Sequence, residues 1–333
     1  MILAGFEHHP GVHCGTTALA DALRVRGVGI SEPMAFGLGA GLGFYYLVSA
    51  ATSPTHLFCG RTLMLEETAC EVLGAPVRVR MEDDPARAWQ GVRAALDRGL
   101  APIVATDLAE LPYWNTRTPF GGHRVVVAGY DVDRGVALVA DGDRPGLEEV
   151  GLEVLGRARA AIAPPFAIAG HPWLEIDAPP APRPLAEAVG DALRRQAREF
   201  LLDVDGFAGI SALERFAAEL PEWPSRAVSE ADRAWCFRYG YQVIEKRGTG
   251  GGNFRALYAR FLEEAEAQVP GLAALGLAGR MRSLAAAWTG LAEQLRALSE
   301  VPGGLVPPAV RERARALARD ERAYHEDVAA RVR

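Results

Sequence analysis

Beyond Leu185 the chain changes character, and Ala, Leu, Arg and Glu recur at helical spacing almost to the C-terminus. The periodicity predicts helices over 185–203, 211–220, 229–246, 253–267, 278–298 and 307–331. Just before this region stand Pro164-Pro165 and Asp177-Ala178-Pro179-Pro180-Ala181-Pro182-Arg183-Pro184. Proline lacks an amide hydrogen and fixes its own φ, so both runs read as stiff connectors. At roughly 150 residues per domain, the 333 residues predict two domains, 1–160 and 185–333, joined by a connector over 161–184.

The first domain mixes periods. Cys14 to Val25 reads as a helix, with Leu19 and Leu23 four apart and Ala18, Ala20 and Ala22 as strong helix formers. Residues 32–50 are glycine-rich and apolar and read as a short helix followed by a close-packed loop. Gly60 to Leu73 and Ala86 to Arg98 look helical, the second opened by Asp84-Pro85. Strands are predicted at Pro76–Val79, Pro102–Thr106, His123–Tyr130 and Gly135–Ala140, the last two joined by the turn composition Asp131-Val132-Asp133-Arg134-Gly135. Helices first and meandering strands later, without βαβ alternation, give an α+β fold class: a central helix on an antiparallel sheet, then an all-α domain.

The formal charge of −6 argues against a nucleic-acid partner, which needs a basic face. No run approaches the roughly 20 apolar residues of a membrane span. The first residues carry no basic n-region, and His8 and His9 interrupt any apolar core of a signal peptide, so the cytoplasm is the expected compartment. Cysteines 14, 59, 70 and 236 have unrelated spacings and no CxxC pair, against both a metal site and a disulfide framework.

One cysteine stands apart. Cys14 opens a helix, where unpaired amides and the helix dipole favour a thiolate, and Gly15 beside it lets a substrate approach the backbone. His123 follows Gly121-Gly122 and opens a β-branched strand, and Asp141 ends the next strand. The hairpin between those strands is expected to set Asp141 beside His123, accepting the Nδ1 proton. Nucleophile, base and orienting carboxylate then stand in the order Cys14, His123, Asp141.

This order and these contexts resemble the papain-like cysteine enzymes, including bacterial leader-peptide peptidases, in which Cys heads the central helix and Gly-His opens a strand. In that superfamily a glutamine six residues ahead of the nucleophile completes the oxyanion hole; here the position is His8, with His9 and His13 nearby. Longer stretches are similar to the butirosin biosynthesis protein H family: His13-Cys14-Gly15-Thr16-Thr17; Ser31 to Gly39 with Gly43-Phe44-Tyr45-Tyr46; Asp107-Leu108-Ala109-Glu110-Leu111-Pro112-Tyr113; and Gly248-Thr249-Gly250-Gly251-Gly252-Asn253-Phe254-Arg255. That resemblance implies transfer of an acyl group from a carrier-protein or CoA thioester, through a Cys14 acyl-enzyme, to a small-molecule amine or hydroxyl acceptor. It implies no cofactor of the enzyme's own, the acyl group arriving on phosphopantetheine.

Secondary candidates for substrate contact are Glu32, in an otherwise apolar stretch, Asp107 at a strand end, and Tyr113. Helix or turn capping and ordinary packing are the competing roles. The loop holding Gly250, Gly251 and Asn253 is either a cradle for a phosphate or pantetheine group or a packing turn; without a following Lys-Ser/Thr it is no nucleotide loop. The Arg/Glu-rich C-terminal helices read as solvated faces or a homodimer contact. A cysteine hydrolase on the same triad and a non-catalytic carrier-binding module remain the alternatives to transfer.

Overall fold

A computed structural model describes residues 1–162 and 167–332; the Pro164-Pro165 run predicted as connector lies outside the described residues. The elements in chain order are α1 (Cys14–Val25), α2 (Glu32–Leu38), β1 (Leu42–Val48), β2 (His56–Arg61), α3 (Leu65–Leu73), β3 (Val77–Arg80), α4 (Pro85–Asp97), β4 (Ile103–Thr106), β5 (His123–Asp131), β6 (Val136–Ala140), β7 (Leu147–Gly151), α5 (Leu152–Ala158) and β8 (Trp173–Ile176). They are followed by α6 (Leu185–Leu201), α7 (Gly209–Glu219), α8 (Trp223–Arg226), α9 (Glu230–Glu245), α10 (Arg255–Gln268), α11 (Leu277–Ser299) and α12 (Pro308–Arg331). The chain is α+β, with antiparallel sheets early and helices throughout the later part.

Two compact units interleave in sequence: one holds Met1–Ala35 and Glu66–Arg183, the other Phe36–Leu65 and Pro184–Arg333. The predicted division is sequential, and it differs here because Phe36–Leu65 packs with the later helices.

The first unit is built on an antiparallel sheet of strand order β3-β8-β4-β5-β6-β7. Strand β8 lies within the predicted connector yet pairs with both β3 and β4, and all four of its residues are buried. The prolines on its C-terminal side end it at Ile176. Helix α1 packs on β5, whose interior residues from Val125 to Ala128 are fully buried. Asp84 caps α4 by accepting from the Arg87 amide at 2.8 Å, and Pro85 supplies the first helical residue, as the Asp-Pro pair predicts.

In the second unit the glycine-rich stretch predicted as a loop forms β1 and His56–Arg61 forms β2, so the helix predicted from Gly60 to Leu73 begins later, at Leu65, as α3. The two strands pair antiparallel, and alternate residues Phe44, Tyr46 and Phe58 enter an aromatic core with Phe216, Trp223 and Trp288. Aromatic residues at a period of two suit a strand face; Tyr45 between Phe44 and Tyr46, and the glycines just before them, mask that period in the sequence.

Candidate active site

The first unit brings the predicted triad together. Cys14 is the first residue of α1, partly exposed, with the macrodipole's positive end at its sulfur. His13 caps the helix, its Nδ1 accepting from the Thr16 amide at 3.2 Å. The turn entering α1 is tight. A Cβ on Gly11 would meet Thr17 Oγ1 at 2.2 Å, so only glycine fits there, and the Gly11 amide donates to the Gly142 carbonyl at 3.0 Å. That bond ties the nucleophile loop to the residue after Asp141.

His123 opens β5 opposite Thr106 of β4, and Asp141 leaves β6 directly after Ala140. His123 Nε2 stands 2.7 Å from Oδ1 and 2.9 Å from Oδ2 of Asp141. The expected contact runs through Nδ1; the ring is turned the other way. Asp141 lies past the far edge of the imidazole, and Nδ1 is left for the hydrogen bond between His123 and Cys14. Burial pushes the imidazole toward neutrality, but the charges and hydrogen bonds of Cys14 and Asp141 prevail and raise its pKa to about 10. Burial likewise works against the charge of Asp141, and the bonds from His123, Tyr113 and Trp114 overcome it, holding the carboxyl below its usual range.

Tyr113 is placed by the loop from Asp107 to Gly122 that joins β4 to β5. Its hydroxyl donates to Asp141 Oδ2 at 2.7 Å, as does Trp114 Nε1 at 2.7 Å. The indole stands edge-on to the His123 ring, 5.8 Å between centroids, and Arg144 lies 4.4 Å over its face. Asp107, buried, organises the loop: its Oδ1 accepts from the amides of Ala109 at 2.8 Å and Phe120 at 3.0 Å.

Glu32 also serves the nucleophile. Its Oε1 accepts from the amides of Val12 at 2.9 Å and His13 at 2.7 Å, fixing the approach to α1. His8 is clamped to α1 as well, its Nδ1 2.5 Å from Asp21 Oδ2, while its Nε2 is buried with no hydrogen-bond partner. Asp21 lies two helical turns from Cys14 on the same face of α1.

Sequence reasoning passes over Trp114 and Glu66. Trp114 adjoins Tyr113, and a short loop of aromatic residues beside a strand end is the signal that points to it. Glu66 is buried, 4 % exposed, and its carboxylate packs so closely on Gly15 that a Cβ there would meet Oε1 at 2.5 Å. Glu66-Glu67 in the first turn of α3 reads as ordinary dipole compensation, which hides it.

The remaining predicted site residues are elsewhere. Gly250, Gly251 and Asn253 belong to the second unit, in a run of left-handed residues from Gly250 to Phe254. The Gly251 amide donates to Thr249 Oγ1 at 3.1 Å, the Gly252 amide to Glu245 Oε1 at 3.1 Å and the Asn253 amide to the Ile244 carbonyl at 2.9 Å. Those three amides are used internally, the arrangement of a packing turn. It delivers Arg255 to a fully buried pair with Glu321 at 2.6 Å. Among the described residues no group of three or more His, Cys, Asp or Glu stands in a metal-holding arrangement, and no helix is long and apolar enough to cross a membrane.

Residues 13–142 match the family model of the butirosin biosynthesis protein H N-terminal domain. The N-terminal part of the chain belongs to the butirosin biosynthesis protein H family. Residues 153–328 match a second family model, described as a domain of unknown function, DUF4872. The N-terminal match begins one residue before Cys14 and ends one residue after Asp141, so it frames the cluster described above. No curated protein matches the chain.

Proposed function

We propose that this protein is a papain-like cysteine acyltransferase of specialised-metabolite biosynthesis. It would move an acyl group from a carrier-protein or CoA thioester to a small-molecule amine or hydroxyl. The carrying observation is a single imidazole, His123, hydrogen-bonded to Cys14 at the start of α1 and to the carboxylate of Asp141. The family name, which refers to antibiotic biosynthesis, supports the metabolic setting.

The steps balance without an added reagent. The Cys14 thiolate attacks the thioester carbonyl; the carbon–sulfur bond to pantetheine breaks, and the departing thiolate takes the proton held by imidazolium His123. The acceptor nitrogen or oxygen then attacks the Cys14 thioester, loses its proton to His123 and expels the Cys14 thiolate, restoring the ion pair. The Cys14 amide and His8 are the candidate donors to the oxyanion, His8 because its Nε2 is buried and unpartnered. Glu66, against Gly15, offers an ammonium-bearing substrate a counter-charge beside the nucleophile.

The test is incubation of the whole protein with an acyl-pantetheine thioester, with and without a polyamine or aminosugar, followed by intact mass measurement. A Cys14 acyl adduct that persists in water and disappears into an amide product when amine is added is the expected result. Prompt release as free acid, unchanged by amine, indicates a hydrolase. No adduct on Cys14 contradicts covalent catalysis and favours a carrier-binding module.

A further inference from the structure

Away from Cys14, the first unit contains an open pocket of about 630 Å³ between α4 and α5. Its apolar walls come from Trp89, Leu152 and Leu155, and Gly156, Arg159 and His171 also line it. None of these residues bonds to Cys14, His123 or Asp141. The volume is that of a site for a small organic molecule.

The polar end of the cavity carries an uncompensated charge. Arg159 is 3 % exposed, and among the described residues no carboxylate pairs with it. One guanidinium NH2 donates to the His171 carbonyl at 2.7 Å, Nε is buried without a partner, and the group lies 6.0 Å from the Trp173 ring centroid. Glu153 also lines the cavity but does not pair with Arg159. Burial alone draws the guanidinium down to about 10. A buried cation without an anion is costly, and proteins keep one where a ligand supplies the missing charge. His171, at the same end, holds a left-handed φ of 37°, a strained geometry for a non-glycine residue that concentrates at ligand sites.

We propose that this cavity binds a small apolar organic acid, its carboxylate paired with Arg159 and its hydrocarbon or ring against Trp89, Leu152 and Leu155. The proposal is independent of the reaction at Cys14.

Isothermal titration of the full chain with octanoate and with 4-phenylbutyrate, against octanol and octylamine, tests it. Saturable one-to-one binding of an acid, with the alcohol weaker and the amine silent, is expected. Arg159→Gln removes an uncompensated buried charge, so it is expected to keep the fold while weakening the acid roughly 10–100-fold, the loss of one charged hydrogen-bonding partner. Gly156→Leu is a second, structurally mild probe: a Cβ at Gly156 meets nothing within 4 Å, so the leucine projects into open space and is expected to block the acid. No saturable binding of either acid, octanol binding as tightly as octanoate, or undiminished binding in Gly156→Leu each overturns the proposal.

Discussion

The Tyr113 hydroxyl donates to Oδ2 of Asp141 at 2.7 Å, from a loop that leaves the sheet at Thr106 and returns at His123. Trp114 Nε1 shares the same oxygen, so the carboxylate orienting His123 is itself held by two neutral donors that favour its ionised form. Tyr113→Phe removes one of them. Its expected effect is a fall of roughly 10–100-fold in kcat/KM, the worth of one hydrogen bond to a charged group. The acid limb of the pH profile should move to higher pH, because a carboxylate with fewer donors takes up its proton sooner. An unmoved acid limb would show that Tyr113 only packs.

Asp141→Asn keeps the shape but removes one of the two charges, beside that of Cys14, that offset the burial of His123. Acylation of Cys14 is expected to slow by about 10²–10⁴-fold. His123, raised to about 10 in the folded protein, should fall with it. A raised histidine stabilises the fold fully below its unfolded value of about 6.5 and loses that contribution as pH rises through its folded value. The alkaline limb of the rate profile and the alkaline loss of stability should therefore both shift to lower pH in Asp141→Asn, as read by stopped-flow acylation and by denaturant midpoints.

Glu32 is no member of the triad, yet its Oε1 collects the Val12 and His13 amides. Glu32→Gln keeps an acceptor oxygen and should retain most activity. Glu32→Ala removes the acceptor of both amides and leaves the part-buried His13 amide unsatisfied at the entry to α1, a loss of about 1–3 kcal/mol, with lower kcat and little change in donor KM. A comparison of thermal midpoints and kinetics for the two variants separates this positioning role from direct substrate contact, which would raise KM in both.

In the second unit His56 is fully buried, its Nδ1 2.9 Å from the Tyr46 hydroxyl and its ring stacked on Trp223 at 4.7 Å. Burial lowers it to about 4, aided by Arg215 and Arg226 and opposed by Glu219 and Asp232. The unfolded chain, with a histidine near 6.5, then binds the extra proton, so stability should fall by up to roughly 3 kcal/mol as pH drops from about 6.5 through about 4. Urea midpoints at pH 7.5 and pH 5 test this, and His56→Gln should flatten the slope. Some slope should remain, since burial also lowers His325. An identical slope in the variant would contradict the assignment.

Much of the site is legible in the sequence because it depends on local signals. The turn composition at Asp131 to Gly135 predicts the β5–β6 hairpin, and that hairpin alone carries Asp141 back to His123. The start of α1 at Cys14 follows from its alanine and leucine spacing. What the sequence hides is non-local. Phe44 and Tyr46 alternate as a strand should, but Tyr45 between them is aromatic too and glycines precede them, which blurs the pattern, and nothing local announces that β1 packs with helices more than 150 residues later. Strand β8 is four residues long and bracketed by turn-forming residues, so its place between β3 and β4 emerges only from tertiary pairing. Which ring nitrogen of His123 meets Asp141 is likewise a matter of strand register, and composition carries no trace of it.

The most direct test of the account is competitive labelling of the four thiols with substoichiometric iodoacetamide near pH 7, read by peptide mapping. Burial pushes the Cys70 thiol up to about 12 and the Cys236 thiol up to about 11, whereas Cys14 is hydrogen-bonded to His123 at a helix N-terminus. Cys14 is expected to take nearly all the label, and His123→Ala to slow its labelling by roughly tenfold or more. Labelling of Cys59 as fast as Cys14, or a Cys14 rate unchanged in His123→Ala, would contradict the assignment of Cys14 as the activated nucleophile.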